Sequence, residues 1–152
     1  MIDTSCLDTI IVGRVEPHIY AFTTNTVPNY LKVGDTYRPV ALRLQEWQVY
    51  FPELRKQFEG SAKINDKIYF RDFAVHHYLE NIKGHVRLQP GDIPADLYYS
   101  KEFFKDATAD DVQEAIDDIN HDYANSGSRK YQFYNAQDNL PVLDKYPRVE
   151  TF

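Results

Sequence analysis

The chain reads as an α+β domain. It is expected to hold a small, mainly antiparallel three-stranded sheet flanked by helices in the order β-β-α-β-α, followed by a C-terminal helix and an extension. Three observations predict this. Two short runs rich in β-branched and aromatic residues, His18–Thr24 and Tyr30–Gly34, flank the turn-forming Thr24-Asn25-Thr26-Val27-Pro28-Asn29. Val40, Leu44, Trp47 and Phe51 then recur at helical spacing. Further on, Thr108 and Asp111 form a capping-box pattern ahead of the apolar stripe Val112, Ala115, Ile116 and Ile119.

Taken in order, residues 1–16 read as an N-terminal arm, with Ile10-Ile11-Val12 before Gly13 as an edge strand or lead-in. The first two strands must be antiparallel, because their connection is too short for a crossover. Thr36 can cap the first helix, with Pro39 in its first turn and Pro52 ending it. Phe58–Ile64 reads as a third strand closing in the turn Asn65-Asp66. A second helix is expected from about Arg71 to Ile82, with the stripe Val75, Tyr78, Leu79 and Ile82, ending before Gly84.

Residues 85–98, broken by Pro90-Gly91 and Pro94, read as loop, and Tyr98–Phe104 as a short aromatic segment. On the third helix, Asp110, Asp111, Glu114, Asp117 and Asp118 read as a solvated acidic face. The main domain is thus set at 17–124. Residues 125–152 form a C-terminal extension or a linker to a missing larger portion, with Arg129–Tyr134 as a candidate final strand.

Composition narrows the class. With 152 residues, 43% hydrophobic and 26% charged, the chain suits one soluble domain with a real core. Tyrosine and phenylalanine are abundant, at 12 and 9 residues, which suits cores, interfaces and base-stacking platforms alike. A net charge of −6 argues against strong nonspecific nucleic-acid binding by the chain alone, and leaves room for a small basic site. Cys6 is the single cysteine, so no internal disulfide forms. No signal-peptide pattern or membrane-length apolar run is present, and a cytoplasmic location is expected.

His18-Ile19-Tyr20 and Lys32-Val33-Gly34, about ten residues apart, are followed by Asp35-Thr36 and by Arg43 on the first helix. Later come Asp72-Phe73-Ala74-Val75-His76, with an acidic residue four before a histidine, and Glu102-Phe103-Phe104. In this order, over roughly residues 17–120, the chain resembles the GIY-YIG nucleases, and in particular a phage-encoded branch with lysine in place of the second tyrosine. The departures are His18 for the first glycine, Lys32 for a tyrosine, and Asp72 for a metal-binding glutamate.

The resemblance implies a metal-dependent endonuclease domain acting on DNA phosphodiesters with Mg²⁺ or Mn²⁺. It implies a module of a larger restriction or helicase-type protein, with DNA and the remainder of a longer chain as partners. The alternative is a catalytically inactive nucleic-acid or protein interaction module. Phosphodiester hydrolysis needs a base for water, positive charge on the phosphate and usually a metal. Tyr20 is then base or water-positioner, if a cation or metal lowers its pKa, or else a half-buried strand tyrosine.

Arg43, beside the apolar stripe, is a phosphate clamp or a solvated arginine. Lys32 is a second clamp or an exposed strand lysine. Gly34 allows close backbone approach where strand turns to helix, or is a plain turn glycine. Tyr37 is near enough in sequence to offer another hydroxyl to substrate. Asp72 is the metal ligand, with His76 beside it on one helix face, or the two form a surface pair. His77 and Glu80 are their neighbours, and Glu102 is expected to cap or pair structurally.

Overall fold

A computed structural model describes residues 17–125 and 130–143. Cys6 and the arm over residues 1–16 lie outside the described residues, as do 126–129 and 144–152. The fold is α+β. Its main sheet has four strands rather than three, all antiparallel. These are β1 (His18–Thr23), β2 (Tyr30–Thr36), β3 (Arg55–Ser61) and the edge strand Phe103–Lys105. That edge strand comes fifth along the chain and is called β5 below, because β4 (Ile68–Phe70) precedes it in a separate two-stranded sheet with β6 (Phe133–Asn135). The spatial order of the main sheet is therefore β3-β1-β2-β5.

The extra strand escapes sequence reading because Phe103–Lys105 is three residues long and owes its conformation to pairing with Tyr30–Lys32. The pair β4–β6 is nonlocal in the same way. It draws residues 130–143, expected as an extension, onto the domain, where Tyr131 and Phe133 are buried in the main core and Val142 packs against it.

Strand alternation divides the core in two. Ile19, Ala21, Leu31 and Val33 face a cluster completed by the later helices, including Val75, Leu79, Val112, Ala115, Ile116 and Ile119. Tyr20 and Phe22 face the other way, into a cluster with Val40, Trp47, Phe51, Leu88 and Phe103.

Helix α1 spans Val40–Trp47, with Pro39 at its N-cap position and no side-chain cap. Thr36 is the last residue of β2, and its hydroxyl accepts from the Arg38 backbone N–H instead. Of the expected stripe, Val40 and Trp47 are buried on the helix and Leu44 is half-buried; the helix ends at Trp47 and not at Pro52, and Phe51 is buried just beyond the turn that follows. The third strand sits earlier than Phe58–Ile64 and pairs with β1 across a bulge between Ala21 and Phe22.

The second helix begins at Asp72. It is α-helical only to His77, the stretch we label α2, and widens into a π-helical turn over Tyr78–Ile82. The segment ends before Gly84, whose φ of 77° lies in the left-handed region. Ile82 is exposed, so it leaves the predicted stripe. Helix α3 (Ala109–Ala124) carries the predicted capping box: Asp111 N–H donates to Thr108 Oγ1 at 3.2 Å, and Thr108 N–H donates to Asp111 at 2.9 Å. Asp111 is therefore buried, and Asp118 accepts from Lys130 and Tyr131. Only Asp110, Glu114 and Asp117 of the expected acidic face stand exposed. Among the described residues, no helix is long and apolar enough to cross a membrane.

Candidate active site

Tyr20 lies mid-strand in β1, opposite Gly34 of β2. A Cβ on Gly34 would come within 2.6 Å of the Tyr20 hydroxyl, 2.8 Å of its ring carbon Cζ and 3.2 Å of Lys32 Nζ. Gly34 thus permits close approach inside a strand, and not at a turn into the helix. Gly34→Ala is expected to push the Tyr20 ring aside, destabilising the domain by about 1–3 kcal/mol as an overpacked core position. Urea unfolding reads the cost, and unchanged stability would mean that Tyr20 does not depend on the missing side chain.

The Tyr20 hydroxyl accepts a hydrogen bond from Trp47 Nε1 at 2.7 Å, and the Arg43 guanidinium also faces it. Trp47 was absent from the sequence-level candidates, although a buried indole N–H calls for an acceptor. Its ring carries two cations, with Lys32 Nζ 4.1 Å and Arg43 Cζ 4.8 Å from the centroid. Arg43 also pairs with Glu46 at 2.9 Å, and Glu46 pairs with Arg38 at 2.6 Å.

Burial raises the Tyr20 phenol well above its ordinary pKa, and Arg43 and the Trp47 donor offset this only in part. Tyr20 is therefore a neutral hydroxyl at neutral pH. That geometry suits it to donate to water or phosphate rather than to serve as a general base.

Lys32 is not an exposed strand lysine: its side chain is fully buried. Its ammonium donates to Glu102 Oε1 at 2.7 Å. Burial lowers its pKa, while Glu102 and Asp72 act to keep it charged. Glu102, just before β5, pairs structurally as expected, and it also hydrogen-bonds the Asp72 carboxyl.

Asp72 and His76 are buried, at 5% and 3% exposure, so they are not a surface pair. Two hydrogen bonds tie their helix to β2: Asp72 N–H donates to Asp35 at 2.9 Å, and His76 Nε2–H donates to the Val33 carbonyl at 2.8 Å. The carbonyl can only accept, which leaves His76 Nδ1 as the lone-pair nitrogen. Burial lowers the His76 pKa to about 4. Burial, reinforced by the charges of Asp35 and Glu102, raises Asp72 to about 8. Glu102 moves the opposite way under Lys32, so the proton between the two carboxyls resides on Asp72.

Asp72, His76 and Glu102 each offer a ligand atom, all within 4.8 Å of one another. Ligands of one transition metal stand about 2.0–2.2 Å from it, so a small closure of this triad can hold an ion. The His76 ring anchored on a backbone carbonyl matches the support that ligating histidines receive. Glu102 is the member of this set that the sequence assigned only a structural part.

Tyr37 lies elsewhere. Its ring packs edge-on to Tyr69 and under Arg71, in a small cluster with Tyr134. His77 faces Tyr131 and Glu80 pairs with Arg87, so these neighbours serve local packing.

Fold and site together define a small α+β domain with a half-buried cation–tyrosine cluster beside a carboxylate–imidazole triad. No family model, curated protein or solved structure matches this chain.

Proposed function

We propose that the domain is a metal-dependent endonuclease that hydrolyses DNA phosphodiester bonds. One observation carries the reading: Tyr20, Lys32, Arg43, Asp72, His76 and Glu102, from five segments of the chain, form one connected cluster. The part-exposed Arg43 grips a phosphate oxygen and offsets its developing charge. Tyr20, with Trp47 and Arg43 on its oxygen, keeps its own proton to donate to a water or a phosphate oxygen. Lys32 holds Glu102 ionised and adds positive charge to the cluster. An ion on Asp72, His76 and Glu102 would supply Lewis-acid charge at the phosphate. An imidazole among the ligands suits Mn²⁺ better than Mg²⁺, which prefers all-oxygen shells. Membership of a larger restriction or helicase-type protein rests on the motif resemblance alone.

Nicking of supercoiled plasmid with Mn²⁺ or Mg²⁺ tests the activity directly. A second reading, a noncatalytic interaction module, is favoured by the full burial of Lys32 and the net charge of −6. Salt-sensitive DNA binding with no nicking in either metal would select it.

The triad also makes stability depend on pH. Asp72 keeps its proton in the fold up to about 8, whereas the unfolded carboxyl loses it near 3.8, so its contribution declines as pH rises between those values. His76 refuses a proton down to about 4 that the unfolded imidazole takes near 6.5, so its contribution grows with pH over that span. The two cancel up to about pH 6.5 and leave a net loss from there to about 8. Urea unfolding in EDTA should show stability falling by up to about 1.4 kcal/mol per pH unit in that window. Mn²⁺, taking the proton's place, should flatten the slope. A metal-free stability that rises across the window would contradict the shared proton.

A further inference from the structure

Beside the Tyr20 cluster lies an open cleft of about 410 Å³, lined by Arg43, Glu46, Trp47, Val49, Tyr50 and Tyr98. Tyr50 and Tyr98 are 49% and 43% exposed, yet they stack on each other with ring centroids 4.1 Å apart and 25° between planes. Trp47 forms the floor, edge-on to both tyrosines at 6.3 and 6.0 Å. The same indole donates to the Tyr20 hydroxyl at 2.7 Å, so cleft and cluster share a wall. Arg43 stands at this rim beside Glu46, with its guanidinium carbon 4.8 Å from the Trp47 ring centroid, on a chain whose net charge is −6.

We infer that this cleft is a nucleobase subsite, taking one unpaired base against Tyr50 and Tyr98 while Arg43 holds the adjoining phosphate. The choice of ligand rests on the phosphodiester reading of the Tyr20 cluster. Three features fit a flat aromatic group carrying an anion. The wall is a pre-stacked aromatic pair, the rim carries a guanidinium, and the volume lies within the range of small-molecule sites. An acidic chain gains little from broad contact with phosphates, and base stacking is a source of affinity that does not draw on net charge. Such stacking requires a base outside a duplex, so the preferred substrate is single-stranded DNA or an unpaired nucleotide next to the cut site.

Trp47 is the single tryptophan of the chain, so its emission reports the cleft without a label. The test titrates the full chain in EDTA, where no hydrolysis can occur, with (dT)₅, (U)₅ and a blunt DNA hairpin. Wild-type protein should bind (dT)₅ about tenfold more tightly than the hairpin, with quenched Trp47 emission. Tyr98→Ala and Tyr50→Ala should each weaken (dT)₅ binding about tenfold and leave hairpin binding within about twofold, whereas Tyr98→Phe should retain the affinity. Equal loss for (U)₅ keeps the base subsite and shows that the sugar is not read.

Binding of (dT)₅ that is unchanged in both alanine variants overturns the inference, and so does a wild type that prefers the hairpin. Plasmid nicking by a wild type that binds no single strand would remove this subsite and leave the nuclease reading standing. Tyrosine-dependent (dT)₅ binding without nicking would do the reverse.

Discussion

Arg43→Ala is expected to lower metal-dependent strand cleavage by about 10²–10³-fold, the usual effect of removing one preorganised donor to a developing charge. Folding should be barely affected. Its ion pair with Glu46 is partly solvated, with the two side chains 33% and 41% exposed, and pairs of that kind contribute at most about 1 kcal/mol. Tyr20→Phe should give a comparable loss of rate, with an added cost of about 1–3 kcal/mol because the Trp47 N–H is left buried without an acceptor. Single-turnover nicking of plasmid alongside urea unfolding separates the two effects. Cleavage at the wild-type rate in both variants would remove the cluster from the reaction.

The largest stability effect should come from Lys32→Met. The substitution keeps the stem but leaves Glu102 and Asp72 in contact with no ammonium beside them. Removing one partner of a buried ion pair typically costs about 3–5 kcal/mol. Adding Glu102→Gln should recover most of that loss, because a neutral amide needs no counter-ion. A double-mutant cycle measures the recovery as a coupling energy. A Lys32→Met cost below about 1 kcal/mol, or no recovery in the double variant, would show that Lys32 is not held by this pair.

The local parts of this fold were legible in the sequence. The β1–β2 pair, the stripe of α1, the capping box of α3 and the stop at Gly84 each depend on residues a few positions apart. What escaped reading depends on distant pairing. Phe103–Lys105 becomes a strand only against β2, and Ile68–Phe70 only against Phe133–Asn135. The site divides the same way. Motif order pointed to Tyr20, Lys32, Arg43, Asp72 and His76, while neither reading of Lys32, as phosphate clamp or as exposed strand lysine, foresaw its burial, because alternation reveals a face and not what later covers it. Trp47 read as core alone, and its contact with Tyr20 spans 27 positions. Tyr37 was grouped by nearness in sequence, and the chain turns it toward Tyr69 instead.

The ion pair between Lys32 and Glu102 joins residues 70 positions apart. During synthesis, the hairpin bearing Lys32 leaves the ribosome long before its counter-ion does. Until residues 102–105 arrive and dock as the edge strand, burying that ammonium is unfavourable, and the β1–β2 pair must stay partly open to water. Closing the sheet and completing the charge cluster are then one event. A chain halted before Glu102 lacks both the edge strand that completes the sheet and the counter-ion that completes the charge cluster.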